Sequence, residues 1–455
     1  MNGREKVLAG SPATGRETAM RFAAFAFLGM ATGAPASVAA SSLNFLPGAT
    51  TIDQFLGTSF VAIGPAILAR LLCAPILDAH SAPRLGQFDR RRGWITGLLP
   101  TLAVLAIAVG LLMPSPGVSP SPVYLGVLVA AMIVAGCLFA VVDGLRSAQP
   151  ASRTQGILAV GQYAGTIVPV IALLVVTKGG GDLNVAGRGL TIPTLWLATG
   201  FLAAGWIGLW LLPGKDTDNS RPLNLPRVQR LSGSGINLST GGLRLTAWLY
   251  GVFICPVIDF FERYGPIALL ALLVLLLGNG ANQWAGMRTI YSLYPNMALA
   301  NELISFNTAA AVLNAVGLLS GGALAFWLSP IRGFVAALLL ILLAILANTI
   351  AALTAPALAP PVVAYLVLSF ARGAFFIALV ALIGRLVTPR FAAFQFSLLM
   401  IVALPGGINR YFATLAQWAF GIVGTHILFL VITLIAIMLA FALARRLEPD
   451  LKPLD

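Results

Sequence analysis

The chain is predicted to be an all-α polytopic membrane protein with about twelve transmembrane helices in two six-helix halves. Three observations predict this. Of 455 residues, 58% are hydrophobic and only 9% are charged, against roughly 25% charged in a soluble domain. The apolar residues come in runs long enough to cross a hydrocarbon core of ~30 Å, where a spanning segment of this type satisfies its own backbone hydrogen bonds as a helix. The basic residues fall almost entirely in alternate loops, which fixes one orientation for the whole chain.

The runs read as spans at 20–46, 55–77, 94–113, 123–143, 157–177 and 191–212, then 266–292, 303–327, 333–354, 362–386, 394–422 and 425–444. The first run is too long for the apolar core of a signal peptide and is expected to remain as span one. With this count, Arg4, Lys6, Arg16 and Arg21 share a side with Arg84, Arg90–Arg92, Arg146, Arg153, Arg332, Arg390, Arg445, Arg446 and Lys452. The opposite loops hold Lys178, Arg188 and Arg288. Both termini are therefore expected in the cytoplasm. The net charge of +13 is a topology signal, and nucleic acid is not an expected partner.

Residues 1–212 form the N-terminal half and 264–455 the C-terminal half. Between them, 213–263 starts as a polar Gly-, Ser- and Pro-containing linker. It continues as an apolar stretch broken by Arg244, Pro256, Asp259, Glu262 and Arg263. That stretch is expected to lie on the membrane surface, because a thirteenth span would invert every later loop. A weak repeat relates the halves: a basic turn follows span two and a reduced one, Ser329-Pro330-Ile-Arg332-Gly333, follows span eight. Pro150-Ala-Ser-Arg153 and Pro389-Arg390 are similarly placed after spans four and ten. Two repeated halves joined by a cytoplasmic linker are the plan of the major facilitator fold.

Several blocks carry a closer resemblance. Span one contains Leu28-Gly29-Met-Ala-Thr-Gly33-Ala-Pro35, followed by Ile52-Asp53-Gln-Phe-Leu-Gly57. Span two contains Arg70-Leu-Leu-Cys-Ala-Pro75-Ile-Leu-Asp78, and its loop ends Arg90-Arg91-Arg92-Gly93-Trp94. Pro256-Val-Ile-Asp259 precedes span seven, and Phe391-Ala-Ala-Phe-Gln395-Phe396 comes before span eleven. In this order they resemble the AmpG-like muropeptide permeases, a major facilitator branch that also includes acetyl-CoA transporters. The resemblance implies a secondary transporter of a bacterial inner membrane, and it implies that Asp78 with Arg90, Arg91 and Arg92 forms a gating loop. In the superfamily, an aspartate at the end of span two bonds the end of span eleven and latches the outward-open state. The family's other acids around span four are absent: Asp143 is kept, while Phe139 and Ala148 stand at two of those positions. Asn279 replaces a family Asp, and Thr308 a family Lys.

Ionisable groups at membrane depth cost about 2.5–3.5 kcal/mol each on insertion scales, so each is a candidate for function. Arg70 reads as a cavity cation for an anionic group, or as an arginine snorkelling to the interface. Asp143 reads as a proton-carrying carboxylate, or as a gate residue paired with Arg146 or Arg153. Arg372 and Arg410 sit in mid-span, where snorkelling is hard; each reads as a cavity cation or as a partner of a neighbouring helix. Tyr163, Asn279, Asn282 and Gln283 are the polar candidates for solute contact, with inter-helix bonding as the alternative. Gln162 is a further polar group of this kind. A cavity with these arginines should attract anions such as muropeptides, acyl-CoA, phosphorylated compounds or carboxylate siderophores.

No nucleotide-binding loop or hydrolase motif is present, and neither a cofactor nor a metal is expected. His80 and His426 are isolated, and Cys73, Cys137 and Cys255 lack metal or disulfide spacing. A membrane-embedded transferase using Asp78 and His80 is the enzyme alternative. The expected protein is a monomeric carrier of an anionic amphiphile, with protons as the candidate coupling ion.

Overall fold

The structure is a computed structural model. It describes residues 15–43, 52–80, 82, 90–112, 121–149, 154–179, 191–212, 245–246, 248–282, 301–354, 359–403 and 406–447. These are almost entirely helical. The N-terminal half comprises α1 (Gly15–Leu43), α2 (Ile52–Ala79), α3 (Arg90–Leu111), α4 (Pro122–Ser147), α5 (Thr154–Gly179) and α6 (Thr191–Leu211). A π-helical turn at Tyr250–Ile254 leads into the short α7 (Cys255–Tyr264). The C-terminal half comprises α8 (Pro266–Asn282), α9 (Asn301–Leu328), α10 (Pro330–Thr354), α11 (Ala359–Leu386), α12 (Ala392–Ala403) and α13 (Gly406–Leu447).

Five described stretches are long and apolar enough to cross a membrane: Arg90–Leu111, Pro122–Ser147, Pro330–Ala351, Val362–Leu386 and Val423–Leu447. The chain is an integral membrane protein. Large apolar side chains such as Val104, Leu111, Leu269, Met438 and Phe441 are exposed on the outside of the bundle, as a lipid-facing surface requires. α13 runs through a kink at Gly421, where φ is 67° and ψ is −176°. Only glycine adopts that backbone readily, so the kink separates span eleven from span twelve close to the boundary at 422–425.

The two halves repeat the same pairings. α1 packs on α5 and α6, α2 on α4, and α3 on α4 and α6. Six spans later, α8 packs on α12 and α13, α9 on α11, and α10 on α11 and α13. Glycines permit the closest approaches. A Cβ on Gly33 would lie 2.2 Å from the carbonyl oxygen of Thr166, and one on Gly321 would lie 2.2 Å from that of Ala374. With little hydrophobic drive between helices in lipid, such small-residue contacts supply the packing.

The halves meet through α5 against α9 and α11, and through α12 against α2 and α4. α7 turns through 106° into α8 at Gly265, which has φ 53°. Its Pro256 and Phe260 are buried, while Phe261, Glu262 and Arg263 are exposed.

Candidate functional site

Asp143 lies in the second-last turn of α4 and is completely buried. Four side chains converge on it. Arg70 of α2 forms an ion pair with its Oδ2. Gln162 Nε2 and the Tyr163 hydroxyl of α5 donate to its Oδ1 at 2.9 and 3.0 Å. Arg146, one turn along α4, approaches Oδ1 at 3.5 Å and donates from Nε to Gln162 Oε1 at 2.7 Å. Three helices of one half therefore meet at a single carboxylate.

The C-terminal half closes over this cluster with aromatic faces. Phe396 of α12 lies under both guanidinium groups, 5.6 Å from Arg70 and 4.9 Å from Arg146. Phe139 of α4 gives Arg70 a second ring at 5.8 Å. Phe376 of α11 meets Tyr163 edge-on, with centroids 4.9 Å apart. Cation–π contacts of this kind strengthen when desolvated. With all three groups ionised, Arg70 and Arg146 against Asp143 leave one unit of positive charge. Arg70 is the open edge of the cluster, its side chain 13% exposed, whereas those of Asp143 and Arg146 are 0% exposed.

A second cluster lies on the side of the basic loops. Arg91 Nη2 donates to Asp78 Oδ1 at 2.8 Å and to the Pro389 carbonyl at 2.8 Å. Asp78 Oδ2 accepts the backbone N–H of Phe394 at 2.9 Å. Arg91 and Asp78 are each 1% exposed. Arg92 reaches the Leu212 carbonyl at 3.3 Å, and Arg90 is buried at the start of α3. Above this latch Gly144 of α4 sits against Ala393 of α12; a Cβ there would lie 2.7 Å from the Ala393 Cβ. The two halves are in contact on this side.

The segment before α8 is tied to the same closure. Gln395 of α12 accepts from the Thr388 backbone N–H at 2.8 Å. It donates to the Pro256 carbonyl at 2.8 Å and to Asp259 at 3.0 Å. Trp248 donates to His80 Nε2 at 2.9 Å and its ring stacks on the imidazole. His80 thus belongs to a contact between the linker and the loop after α2.

Of the residues singled out from the sequence, the structure brings together Arg70, Asp143, Tyr163 and Gln162, and separately Asp78 and Arg91. Arg372 lies half-buried in α11, one turn before Phe376 and so on the same face. The side chains of Asn279, Asn282 and Arg410, and the whole of Gln283, lie outside the described residues. The sequence places Arg146 among the loop cations, yet it is fully buried within the cluster. Its spacing of three from Asp143 was the available signal, since i and i+3 share a helix face. Nothing in the linear sequence announced Phe396 as the ring beneath both arginines. Among the described residues, no group of His, Cys, Asp and Glu side chains could hold a metal ion.

No protein-family model and no curated protein matches the chain. Solved structures do. A bacterial homologue of the iron transporter ferroportin in an outward-facing state matches 95% of this chain and 100% of its own, with 16% identity and a TM-score of 0.58. The human organic anion transporter MFSD10 matches 94% of this chain and 100% of its own, with 14% identity and a TM-score of 0.61. A double-tryptophan XylE mutant matches 94% of each chain, with 11% identity and a TM-score of 0.59. At such identities the likeness is one of fold, and the chain has the major facilitator fold.

Proposed function

We propose that the protein is a secondary transporter that moves an anionic amphiphilic solute by alternating access. The observation that carries this reading is the buried Arg70–Asp143–Arg146 cluster, placed where α4 and α5 face α11 and α12 and left with an excess positive charge. A charge kept in a membrane-spanning bundle is costly, which favours reading it as part of a functional site. An anionic group approaching Arg70 would find a guanidinium fork suited to carboxylate or phosphate. The likeness to an organic anion transporter agrees with that sign of charge. Muropeptides, acyl-CoA-type compounds and carboxylate siderophores all have the required chemistry.

The latch of Asp78 and Arg91 on residues 389–394 supports reading this conformation as closed on the basic side, the cytoplasmic side by the charge rule. Asp143 supplies the group for proton coupling. Protonation would remove the counter-ion of Arg70 and Arg146 together and so change the affinity of the cluster for an anion.

The deciding experiment is uptake of labelled solutes into liposomes holding the purified protein. Labelled anhydromuropeptide, a ferric carboxylate siderophore and a cationic drug would be compared, with Arg70→Gln as control. Uptake of an anion that Arg70→Gln lowers at least tenfold is the expected result. Uptake of the cation alone would remove the anion reading, and uptake of neither anion by folded protein would remove those two substrates.

A further inference from the structure

His80 follows the last residue of α2 and is exposed on the side of the basic loops. Two tryptophans hold it. The Trp94 indole of α3 donates to its carbonyl at 2.8 Å, and the Trp248 indole of the linker donates to its Nε2 at 2.9 Å. An indole N–H only donates, so the ring nitrogen that faces it must offer a bare lone pair. The imidazole in this contact is therefore neutral, with its proton on Nδ1.

Trp248 also reaches the latch. Its ring meets Phe253 edge-on with centroids 6.3 Å apart, and Phe253 meets Phe394 edge-on at 6.1 Å. Phe394 is the residue whose backbone N–H is held by Asp78 at 2.9 Å. The contacts close a ring: Asp78 to Phe394, then Phe253, Trp248 and His80, which returns to Asp78 along the chain. The linker thus backs the latch from the side away from Arg91.

Among the described residues, few ionisable groups lie on the elements around this ring. Asp78 and Arg91 pair with each other. Arg90 and Arg92 open α3, and Tyr250 lies in the π-helical turn. Arg390 lies over the Phe391 ring at 5.4 Å. Ala392–Ala403 of α12 carries no ionisable side chain. The Asp143 cluster begins at Arg70, about 15 Å back along α2. Of these residue types, only histidine ordinarily changes charge near neutral pH.

We infer that the contact between Trp248 and His80 is a proton-sensitive clasp on the latch. A proton on Nε2 would point at the indole hydrogen, so the bond is lost and the two N–H groups repel. Only the neutral ring makes the bond. The closed arrangement is therefore favoured at neutral pH and loses this support as the pH on the basic side falls. His80 is exposed, so it exchanges protons with that side directly. Acid there frees the linker from the loop after α2 and lets α2 and α12 part more readily.

The inference rests on reading Asp78 and Arg91 as the closed gate, and the test separates the two. Protein carrying Ala393→Cys would be labelled from the basic side with an impermeant thiol reagent at about pH 7.5 and about pH 5.5, a range that spans ordinary histidine titration. His80→Gln keeps an acceptor for Trp248 but takes up no proton. Dividing the rate with His80 by the rate with His80→Gln at each pH cancels the titration of the thiol itself. That ratio should rise at least about threefold in acid, the size of one net hydrogen bond. A ratio that does not move would overturn the inference. Trp248→Phe keeps a ring against Phe253 and should remove the pH dependence of the ratio; a retained dependence would overturn it as well. Amide exchange at 248–253 reads the clasp without the latch. It should be faster with His80 than with His80→Gln in acid alone, and equal exchange in acid would count against the clasp. A failure of the gate reading shows separately, as unchanged labelling in Asp78→Asn.

Discussion

Asp78 Oδ2 accepts the backbone N–H of Phe394 across 316 residues of sequence, and its other oxygen holds Arg91. One carboxylate thus joins the end of α2 to the first turn of α12. The site is favourable twice over, because the first turn of a helix has free N–H groups and attracts negative charge. Replacing Asp78 by Asn removes the charge that both bonds use.

Asp78→Asn should therefore open the basic side more often. A cysteine introduced at Ala393, which is 1% exposed, should react with a membrane-impermeant thiol reagent from that side at least tenfold faster in the Asp78→Asn background. That factor corresponds to about 1.4 kcal/mol. An unchanged labelling rate would show that the latch does not hold the closed state.

Gly144→Val should act in the opposite sense to a tightened seal. The added side chain meets Ala393, whose Cβ is 2.7 Å and backbone nitrogen 3.0 Å from the Gly144 Cβ position. Overpacking costs about 1–3 kcal/mol, and here it is relieved when α4 and α12 separate. Net uptake should fall while the same Ala393→Cys probe becomes more reactive.

Asp143→Asn leaves Arg70 and Arg146 buried with no counter-ion, a loss of about 3–5 kcal/mol on breaking a buried pair. The double variant Arg70→Met with Asp143→Leu should recover part of that stability while remaining inactive, which thermal unfolding in detergent can measure. In transport assays Asp143→Asn should abolish pH-driven accumulation yet leave exchange. Retained accumulation would exclude Asp143 as the proton carrier.

Gln395→Leu keeps the volume of a residue that is 2% exposed but removes its bonds to Thr388, Pro256 and Asp259. Amide exchange across 255–264 should accelerate, with little change in α4 or α5. Equal protection would mean that α7 is held by its apolar face alone.

Much of the fold was legible because the membrane restricts the choices. The sequence places span six at 191–212, and α6 is Thr191–Leu211; it places span ten at 362–386, and α11 ends at Leu386. Long apolar runs and one-sided charge are local signals, and they survive any tertiary arrangement. The site was legible only in pieces. Arg70, Asp143, Gln162 and Tyr163 stood out as polar groups in apolar runs, but their convergence depends on how α2, α4 and α5 rotate against one another. Arg146 was hidden by its neighbours: it stands where a loop was expected, whereas α4 continues to Ser147 and carries it inward. Phe396 is one phenylalanine among 25, and only the approach of α12 to α4 gives it two cations to cover.

The unbalanced charge of the Asp143 cluster has an electrical consequence. If the proposed carrier moves this cluster through the membrane field with Asp143 ionised as the halves rock, the unloaded form transports one positive charge, and the form holding a monoanion but no proton transports none. Each 100 mV acts on such a charge with about 2.3 kcal/mol. The resting potential of a cell would then set the pace of the empty return step while leaving the loaded step unaffected. Current recorded from solute-free protein in a planar bilayer after a voltage jump is the signature of that asymmetry.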